Sequence, residues 1–453
     1  MVLYVKVIQM LSILGYGMIV TFMALIMTKR LSPLVAMTTV PIVFALMAGF
    51  GPDMGNMMID GLKKVAPTAV MVMFAILYFG VMFDTGLFDP IIRKFIKLIN
   101  GDPMKAVVFA TLLAGMVSLD GDGSTTYMIT VTAMLPLFKR LRLEPLSLTC
   151  VVILAASVTN LLPWGGPLAR AAASLQVDTS ELFIPLIPVM VVGFLGVLAL
   201  AYFIGIRERQ RLGKLRLSVG AAATVFDEET DEGLPSMSDE NAELRRPKLF
   251  WLNAGLTIAL MAGLVVEILP LSILFMVAFS VALVINYPHM NDQRRRISAH
   301  APTALNQIAI FLAAGILAGI LSGTGMVNAM SASFLAMLPA TWGPYMAPIT
   351  ALASIPGTFF MSNDAFYYGV LPVLAKAAEV YGITHAEIGR ASLVGQPVHL
   401  LSPLVASTYL LCGLAGVEFS DHQKYTMKWA FALSFLILIA CLVAGLFPLA
   451  AGV

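Results

Sequence analysis

Charged residues are scarce in this chain of 453 residues. Asp, Glu, Lys and Arg make up 12% of it and hydrophobic residues 59%, whereas soluble domains carry about 25% charged residues. The formal net charge is only +2, which does not suggest a nucleic-acid partner. The composition therefore excludes an ordinary soluble domain and predicts a protein embedded in the lipid bilayer.

Cysteines are few, and the common catalytic motifs are missing. Cys150, Cys412 and Cys441 lie in apolar runs without Cys-x-x-Cys spacing, so we interpret them as packing residues rather than as a disulfide framework or a metal cluster. The sequence contains no phosphate-binding GxxxxGK[ST] loop, no GxSxG and no HExxH. These absences argue against an enzyme and against a tightly bound cofactor. They favour work driven by an ion gradient or by the solute's own gradient.

Long apolar runs such as 183–204 and 429–449 reach the ~18–20 residues that cross a bilayer as a helix. Hydropathy predicts an all-α integral membrane protein with about ten transmembrane helices. Residues 1–206 and 249–453 each contain five spans and one re-entrant hairpin. Because five is odd, we expect the second half to be inverted relative to the first. Inverted-topology repeats with broken helices are typical of secondary transporters.

Residues 207–248 mix basic and acidic clusters and predict a solvated linker between the halves. Basic residues at span ends, such as Lys29 and Arg296, fall on the same side as this linker. The positive-inside rule makes that side cytoplasmic in a multi-pass plasma-membrane protein. Lys63, Lys64 and Lys376 fall on the opposite side, contrary to the rule.

The segment 119–127, LDGDGSTTY, interrupts apolar sequence with Asp120 and Asp122. A charge at the bilayer centre costs roughly 2.5–3.5 kcal/mol on insertion scales, and irregular backbone there must be surrounded by protein or water. We therefore predict that residues 106–137 form a re-entrant hairpin whose tip lines a polar site. Residues 344–375 are expected to form a second hairpin, with Asp364 at its tip.

The tip carboxylates Asp120, Asp122 and Asp364 have two interpretations. Either they cap free backbone N–H groups at a helix end, or they face a cation, a proton or both. Ser124 and Thr125 add hydroxyl groups where the second half-helix begins. The partial positive charge of that helix N-terminus suits a carboxylate. The first tip is thus predicted to offer both cation and anion binding.

The PWGGP turn after Asn160 ends a helix among apolar residues. It is either a loop at the membrane face anchored by Trp164, or an unwound span in which Asn160, Gly165 and Gly166 complete a site. Arg170 follows one helical turn later. Its guanidinium either clamps a carboxylate through two hydrogen bonds or extends to the membrane interface.

In the second half, the candidate residues lie at the hairpin tip and in the next span. They are Ser362, Asn363, Gln396, His399 and Ser402. We expect Gln396-Pro397 to break that span as Pro163 breaks its counterpart. His399 is either a packed core residue or a proton relay, because imidazole exchanges protons near neutral pH.

On these segments the chain resembles the citrate–divalent metal–proton symporter family (CitMHS) of the ion transporter superfamily. The likeness extends over essentially the whole chain and is carried by FAILYFG (74–80), FDTGLFDP (83–90), LDGDGSTTY (119–127), TNLLPWGGPLARA (159–171), MSNDAFYY (361–368) and QPVH (396–399). The resemblance implies symport of citrate, as a complex with a divalent metal, together with protons. It also implies a homodimer with scaffold and moving transport regions.

Acidic tips suit a solute that brings its own metal, since Mg²⁺ and Ca²⁺ prefer oxygen ligands. In this interpretation Asp120, Asp122 and Asp364 handle the co-transported metal or protons. The other candidates hold the substrate's carboxylates and hydroxyls: Ser124, Thr125, Asn160, Gly165, Gly166, Arg170, Ser362, Asn363, Gln396, His399 and Ser402. The alternatives are a proton- or sodium-coupled carrier of another carboxylate, such as gluconate or a dicarboxylate, and a channel.

Overall fold

The structure, a computed structural model, describes residues 2–90, 94, 98–212 and 243–451. Within these ranges the elements are helices and no strand occurs. Seven of the described helices are long and apolar enough to cross a membrane, and shorter apolar helices accompany them. The prediction of an all-α multi-pass protein is confirmed. Residues 213–242, the middle of the predicted linker, lie outside the described residues.

The first half contains two hairpin helices between longer ones. Its helices are α1 (Val2–Met27), α2 (Pro33–Met47), α3 (Met54–Asp84), α4 (Pro103–Val117), α5 (Gly123–Arg140), α6 (Pro145–Thr159), α7 (Gly166–Leu175) and α8 (Thr179–Leu212). Helices α4 and α5 form the first hairpin. Helix α8 continues to Leu212, so Arg207, Arg209 and Arg211, at the start of the expected linker, are helical.

The second half follows a similar order of long and short helices. They are α9 (Phe250–Val266), α10 (Leu271–Asn286), α11 (Met290–Gly323), α12 (Met326–Met337), α13 (Met346–Phe360), α14 (Leu371–Ala378), α15 (His385–Ser392), α16 (Ala406–Ala415) and α17 (Phe419–Val443). Helices α3 and α11 have 31 and 34 residues. Each precedes a hairpin and then an interrupted span.

The second hairpin returns through an irregular helix. Ser362 caps the return arm by accepting a hydrogen bond from the Ala365 amide. The arm continues through the π-helical segment Phe366–Val370 into α14. Short π-helical segments inside α-helices occur frequently at functional sites.

The spans after the two hairpins break in different ways. Helix α6 ends at Thr159, and the chain resumes as α7 at Gly166. In the second half α15 ends at Ser392, a 3-10 turn at Leu393–Gly395 leads into the helical segment Gln396–His399, and the chain unwinds at 400–405. The break expected at Gln396-Pro397 is therefore wrong in position. Proline lacks an N–H group, which the first turn of a helix does not need, so Pro397 starts this segment rather than ending it.

Helices α3 and α11 cross closely because small residues meet at the crossing. A Cβ atom on Gly61 would lie 2.0 Å from the Gly315 carbonyl oxygen, and one on Gly319 would lie 2.2 Å from the Met57 carbonyl oxygen. Small residues let helix backbones approach in membranes, where van der Waals packing drives association. This crossing joins the two halves and supports one wall of the cavity described next.

Candidate functional site

The first hairpin tip, residues 118–125, is held together by its own carboxylates. An Asp120 carboxylate oxygen accepts a hydrogen bond from the Asp122 amide at 2.9 Å. The Asp122 carboxylate caps α5 and accepts hydrogen bonds from the amide and the hydroxyl of Thr125, at 2.9 and 2.7 Å. Gly121 has a φ of +79°, which favours glycine. The capping role that the sequence offers as one alternative is thus present for both aspartates.

This tip borders a cavity of about 440 Å³, within the roughly 300–1,000 Å³ of small-molecule sites. Four candidate residues, Asp120, Asp122, Thr125 and Gly166, line it. The other lining residues come mainly from α3, α5 and α11: Val72, Ile76, Gly80, Phe83, Asp84, Phe88, Asp89, Gly121, Met128, Ile129, Ala133, Trp164, Arg245, His300, Thr303, Gln307 and Phe311. The cavity therefore has apolar walls and a cluster of polar groups.

Trp164 fixes the broken span to the first tip. Its indole N–H donates to the Leu119 carbonyl oxygen at 2.8 Å, and its ring stacks on Phe79 with the centroids 5.4 Å apart. The side chain is only 3% exposed, so Trp164 is not an anchor at the membrane interface. The turn after α6 is an unwound segment inside the protein.

The two glycines of this turn have different surroundings. A Cβ atom on Gly165 would lie 2.1 Å from the Asn160 carbonyl oxygen, so the turn requires glycine there. Gly166 lines the cavity and begins α7. Asn160 is the C-cap residue of α6, and it does not line the cavity.

Arg170 of α7 pairs with Asp364 of the second tip, residues 361–365. Its Nε donates to the Asp364 carboxylate at 2.7 Å, and both side chains are 13% exposed. Gly166, at the cavity, lies one helical turn before Arg170, or about 6 Å along the axis at 1.5 Å per residue. The two tips therefore approach the same first turn of α7. In this conformation Arg170 does not extend to the membrane interface, because its guanidinium is mostly buried and paired with Asp364.

The candidates of the second broken span hold the second hairpin in place. The Gln396 amide donates to the Tyr367 hydroxyl at 2.9 Å, His399 Nδ1 lies 2.7 Å from the Thr358 carbonyl oxygen, and the Ser402 hydroxyl donates to the Phe359 carbonyl oxygen at 2.6 Å. All three side chains are buried, and none lines the 440 Å³ cavity. Their contacts are those of positioning residues.

Two side-chain oxygens near the second tip are buried without a hydrogen-bond partner among the described residues, Asn363 Oδ1 and Gln396 Oε1. Most buried polar atoms in proteins have a partner, so each exception needs an explanation. Both atoms are acceptors, which suit a solute hydroxyl or a protonated group. Ser362 and Ser124 lie in the tips but outside the cavity lining.

Sequence reasoning missed a polar cluster on the cavity wall. An Asp84 carboxylate oxygen lies 2.8 Å from His300 Nε2 and 3.2 Å from an Arg296 nitrogen, and Thr303 and Gln307 continue along α11. His300, Thr303 and Gln307 share one helix face by their spacing. The apolar run from which hydropathy predicts this span begins near residue 304, after His300, whereas α11 begins at Met290.

The described residues contain no group of three or more His, Cys, Asp or Glu side chains arranged to hold a metal ion. The carboxylates of Asp120 and Asp122 lie at the cavity, and Asp364 is paired with Arg170. The three tip aspartates therefore do not form a ready-made metal cage in this conformation.

Paired hairpins that meet beside an unwound span, in a chain with several membrane-crossing helices, define a multi-pass membrane transporter. The sequence comparisons specify this class further. The chain belongs to the citrate transporter family (CitMHS), whose family model matches residues 22–395.

Three transporters of Bacillus subtilis (strain 168) are similar over nearly their full length. The citrate transporter is 55% identical over 437 residues, covering 96% of this chain and 99% of the relative. The Mg(2+)/citrate complex secondary transporter is 50% identical over 422 residues, covering 93% and 95%. The uncharacterized transporter YraO is 43% identical, covering 96% and 99%. The chain is thus a transporter of the plasma membrane and not an enzyme.

Two solved structures share the fold at low sequence identity. The YdaH transporter of Alcanivorax borkumensis superposes with a TM-score of 0.59 at 13% identity, covering 97% of this chain and 99% of that one. MtrF of Neisseria gonorrhoeae, described as an antimetabolite efflux pump, gives 0.58 at 15% identity, covering 87% and 85%. Both support the helical transporter fold.

Proposed function

We propose that this chain is a symporter that takes up citrate as a complex with a divalent metal ion, Mg²⁺ or Ca²⁺, together with protons. One observation carries the proposal: the cavity is rich in acid. Four aspartates line it. Asp84 is paired with Arg296 and Asp89 with Arg245, so the unbalanced acid lies at the first tip, where Asp120 and Asp122 form no ion pair among the described residues. Bare citrate would be repelled by such a surface, whereas a metal–citrate complex brings positive charge to it. The name of the relative that is 50% identical, a Mg(2+)/citrate complex transporter, points the same way.

In this proposal each part of the first tip has a separate role. The carboxylates of Asp120 and Asp122 bind the metal through their oxygen atoms or lie close beside it. Citrate supplies the other ligands of the metal. The backbone at Gly166 holds a citrate carboxylate, while the Thr125 hydroxyl, which donates to Asp122, keeps that aspartate in position. The metal is cargo, so a complete cage built by the protein is not required.

In alternating access, the cavity would open first to one side of the membrane and then to the other. Asp84 and His300 lie toward the ends of α3 and α11 that the positive-inside rule makes cytoplasmic, so this conformation corresponds to an inward-facing state. The Arg170–Asp364 pair lies outside the cavity lining, one helical turn beyond Gly166 along α7. We propose that the hairpin-bearing region moves past the crossing of α3 and α11, within two inverted repeats (1–206 and 249–453) and in a homodimer.

The test is uptake of labelled citrate into proteoliposomes with an imposed proton gradient. We expect uptake with Mg²⁺ or Ca²⁺, little after chelation, and reduced accumulation when the proton gradient is collapsed. Equal uptake of free citrate after chelation would overturn the metal-complex proposal. Stronger competition by gluconate or a dicarboxylate than by metal–citrate would favour another carboxylate, and absence of counterflow would favour a channel.

A further inference from the structure

A second, smaller cavity of about 120 Å³ lies at the other end of α7. Its polar lining includes Ser174, Gln176, Asn328, Tyr368, Lys376 and His385. The 440 Å³ cavity meets α7 at Gly166, whereas the smaller one meets it at Ser174–Gln176. Helix α11 shows the same order, with His300 and Gln307 at the first cavity and Ala314 to Ser322 at the second. Two helices therefore run from one cavity to the other.

The Arg170–Asp364 pair lies between the cavities. Tyr368 follows Asp364 by one helical turn in the return arm and lines the smaller cavity. Its side chain is 1% exposed, and its hydroxyl has no hydrogen-bond partner among the described residues. A buried hydroxyl without a partner is costly, and this one lies where a polar solute would meet it.

The rim of the smaller cavity carries excess positive charge. Lys376 Nζ lies 2.5 Å from a Glu379 carboxylate oxygen, and His385 Nε2 lies 2.9 Å from the other one. Lys64 Nζ donates to the Gln176 side-chain oxygen at 2.6 Å. Glu379 therefore pairs with Lys376 and His385, while the charge of Lys64 faces the neutral amide of Gln176. Such charge raises the local concentration of anions.

This placement explains a departure from the positive-inside rule. By the positive-inside rule most basic residues at span ends are cytoplasmic, but Lys63, Lys64 and Lys376 fall on the outer side. Lys63 pairs there with Asp60, whereas Lys64 and Lys376 lie at the smaller cavity. Basic residues are disfavoured there unless another requirement keeps them. Recruitment of an anionic solute is such a requirement, since citrate with one divalent ion keeps a net negative charge.

We infer that the smaller cavity is the outer half of the transport path and that the Arg170–Asp364 pair separates it from the larger cavity in this conformation. Lys376, with Gln176 and the Tyr368 hydroxyl, forms an outer docking site for an anionic metal–carboxylate complex, whose carboxylate replaces Glu379 as the partner of Lys376. The docking role rests on the proposed function. The position of the cavity on the outer face does not.

The first test compares two lysines on the same face. Lys376→Gln should raise the KM for citrate, at saturating Mg²⁺, by about fivefold, which is the effect of one half-exposed charge contact. The kcat should change little, and Lys376→Arg should restore the KM. Lys63→Gln is the control, since Lys63 is 72% exposed and pairs with Asp60. If Lys376→Gln and Lys63→Gln give the same KM, the docking site is wrong.

The second test measures sidedness. The native cysteines Cys150, Cys412 and Cys441 are buried, so an introduced cysteine reports alone. In right-side-out vesicles, Asn328→Cys should react with an impermeant thiol reagent added outside, more slowly when Mg²⁺ and citrate are present. Ala133→Cys, at the larger cavity, should react only from inside. Outside labelling of Ala133→Cys but not of Asn328→Cys would reverse the assignment.

The two proposals fail in different ways. If Asn328→Cys is labelled from outside but the wild-type chain moves no citrate, the proposed function is wrong and the outer cavity stands. If the wild type moves metal–citrate, yet Lys376→Gln keeps a normal KM and Asn328→Cys is not protected by Mg²⁺ and citrate, only the outer docking site is wrong.

Discussion

Asp122 holds the first hairpin tip in shape and also brings a negative charge to the cavity. Its carboxylate caps α5 through the amide and hydroxyl of Thr125, while it lines the cavity with Asp120. A carboxylate that accepts capping hydrogen bonds has further lone pairs for a cation. Capping and cation binding are therefore compatible at this residue.

Substitution of Asp122 separates these roles. Asparagine caps a helix about as well as aspartate, so Asp122→Asn should insert and fold normally but lose most citrate uptake. Asp122→Ala should lose uptake and also about 1 kcal/mol of stability with the cap. Thermal unfolding in detergent and uptake in proteoliposomes provide the two readouts. Normal uptake by Asp122→Asn would place the charge outside the mechanism.

The ion pair between Arg170 and Asp364 is mostly buried, so removing one partner leaves an uncompensated charge. Arg170→Met and Asp364→Leu should each destabilise the fold by about 3–5 kcal/mol, and the double variant should recover most of that loss. Denaturant unfolding of the purified protein measures this. All three variants should transport poorly. Additive losses in the double variant would mean that the two side chains do not interact.

At the scale of elements, the start of α4 is fixed to the end of α8. Asp102 caps α4 by accepting a hydrogen bond from the Met104 amide, and it pairs with Arg209 of α8. Burial acts to raise the pKa of Asp102. The hydrogen bonds from Arg209 and Met104 and the charges of Arg209 and Lys105 outweigh burial, so the net result is a lowered pKa.

A lowered carboxyl pKa in the folded state makes stability depend on pH. The contribution of Asp102 is complete above its unfolded pKa of about 3.9 and is lost as the pH falls through the folded value. Between pH 5 and pH 3, the wild type should therefore lose more stability than Asp102→Asn, which keeps the cap. Melting temperatures across this range measure the difference. Parallel curves for the two proteins would exclude the ion pair as a source of stability.

The unwound segment after α6 requires glycine at one position. Gly165→Ala would place a methyl group 2.1 Å from the Asn160 carbonyl oxygen, so the yield of folded protein should fall sharply. Gly255 of α9 has open space around its Cβ position, and Gly255→Ala should be neutral or gain up to about 1 kcal/mol of stability. Size-exclusion profiles in detergent compare them. Equal profiles would contradict the packing described for this turn.

The sequence predicted the first break but not the position of the second. The PWGGP turn after Asn160 combines two prolines and two glycines, which end a helix under most circumstances. The second break, at 400–405, contains one proline, Pro403, and no glycine. Its sequence signal is therefore weak, and the stronger signal at Gln396-Pro397 falls in a helical segment that tolerates Pro397. Hydropathy does not indicate the start of α11, because the first turns of this helix are polar and precede its apolar run.

At the scale of the whole molecule, the helical membrane fold and both hairpins follow from hydropathy and from charge inside apolar sequence. The pairing of Arg170 with Asp364 joins residues 194 positions apart. Nothing local to either residue specifies the other. The same holds for Asp84 and His300. Contacts between distant helices depend on how the two halves pack, which no pattern within one segment encodes.

The central claim is that citrate crosses the membrane together with its metal, in a cavity beneath the first tip. Simultaneous uptake of radiolabelled calcium and radiolabelled citrate into proteoliposomes tests it most directly. We predict that both labels enter in a constant ratio as either concentration is varied, and that Asp122→Asn abolishes both together. Citrate entering without calcium, or a ratio that drifts with concentration, would contradict the account.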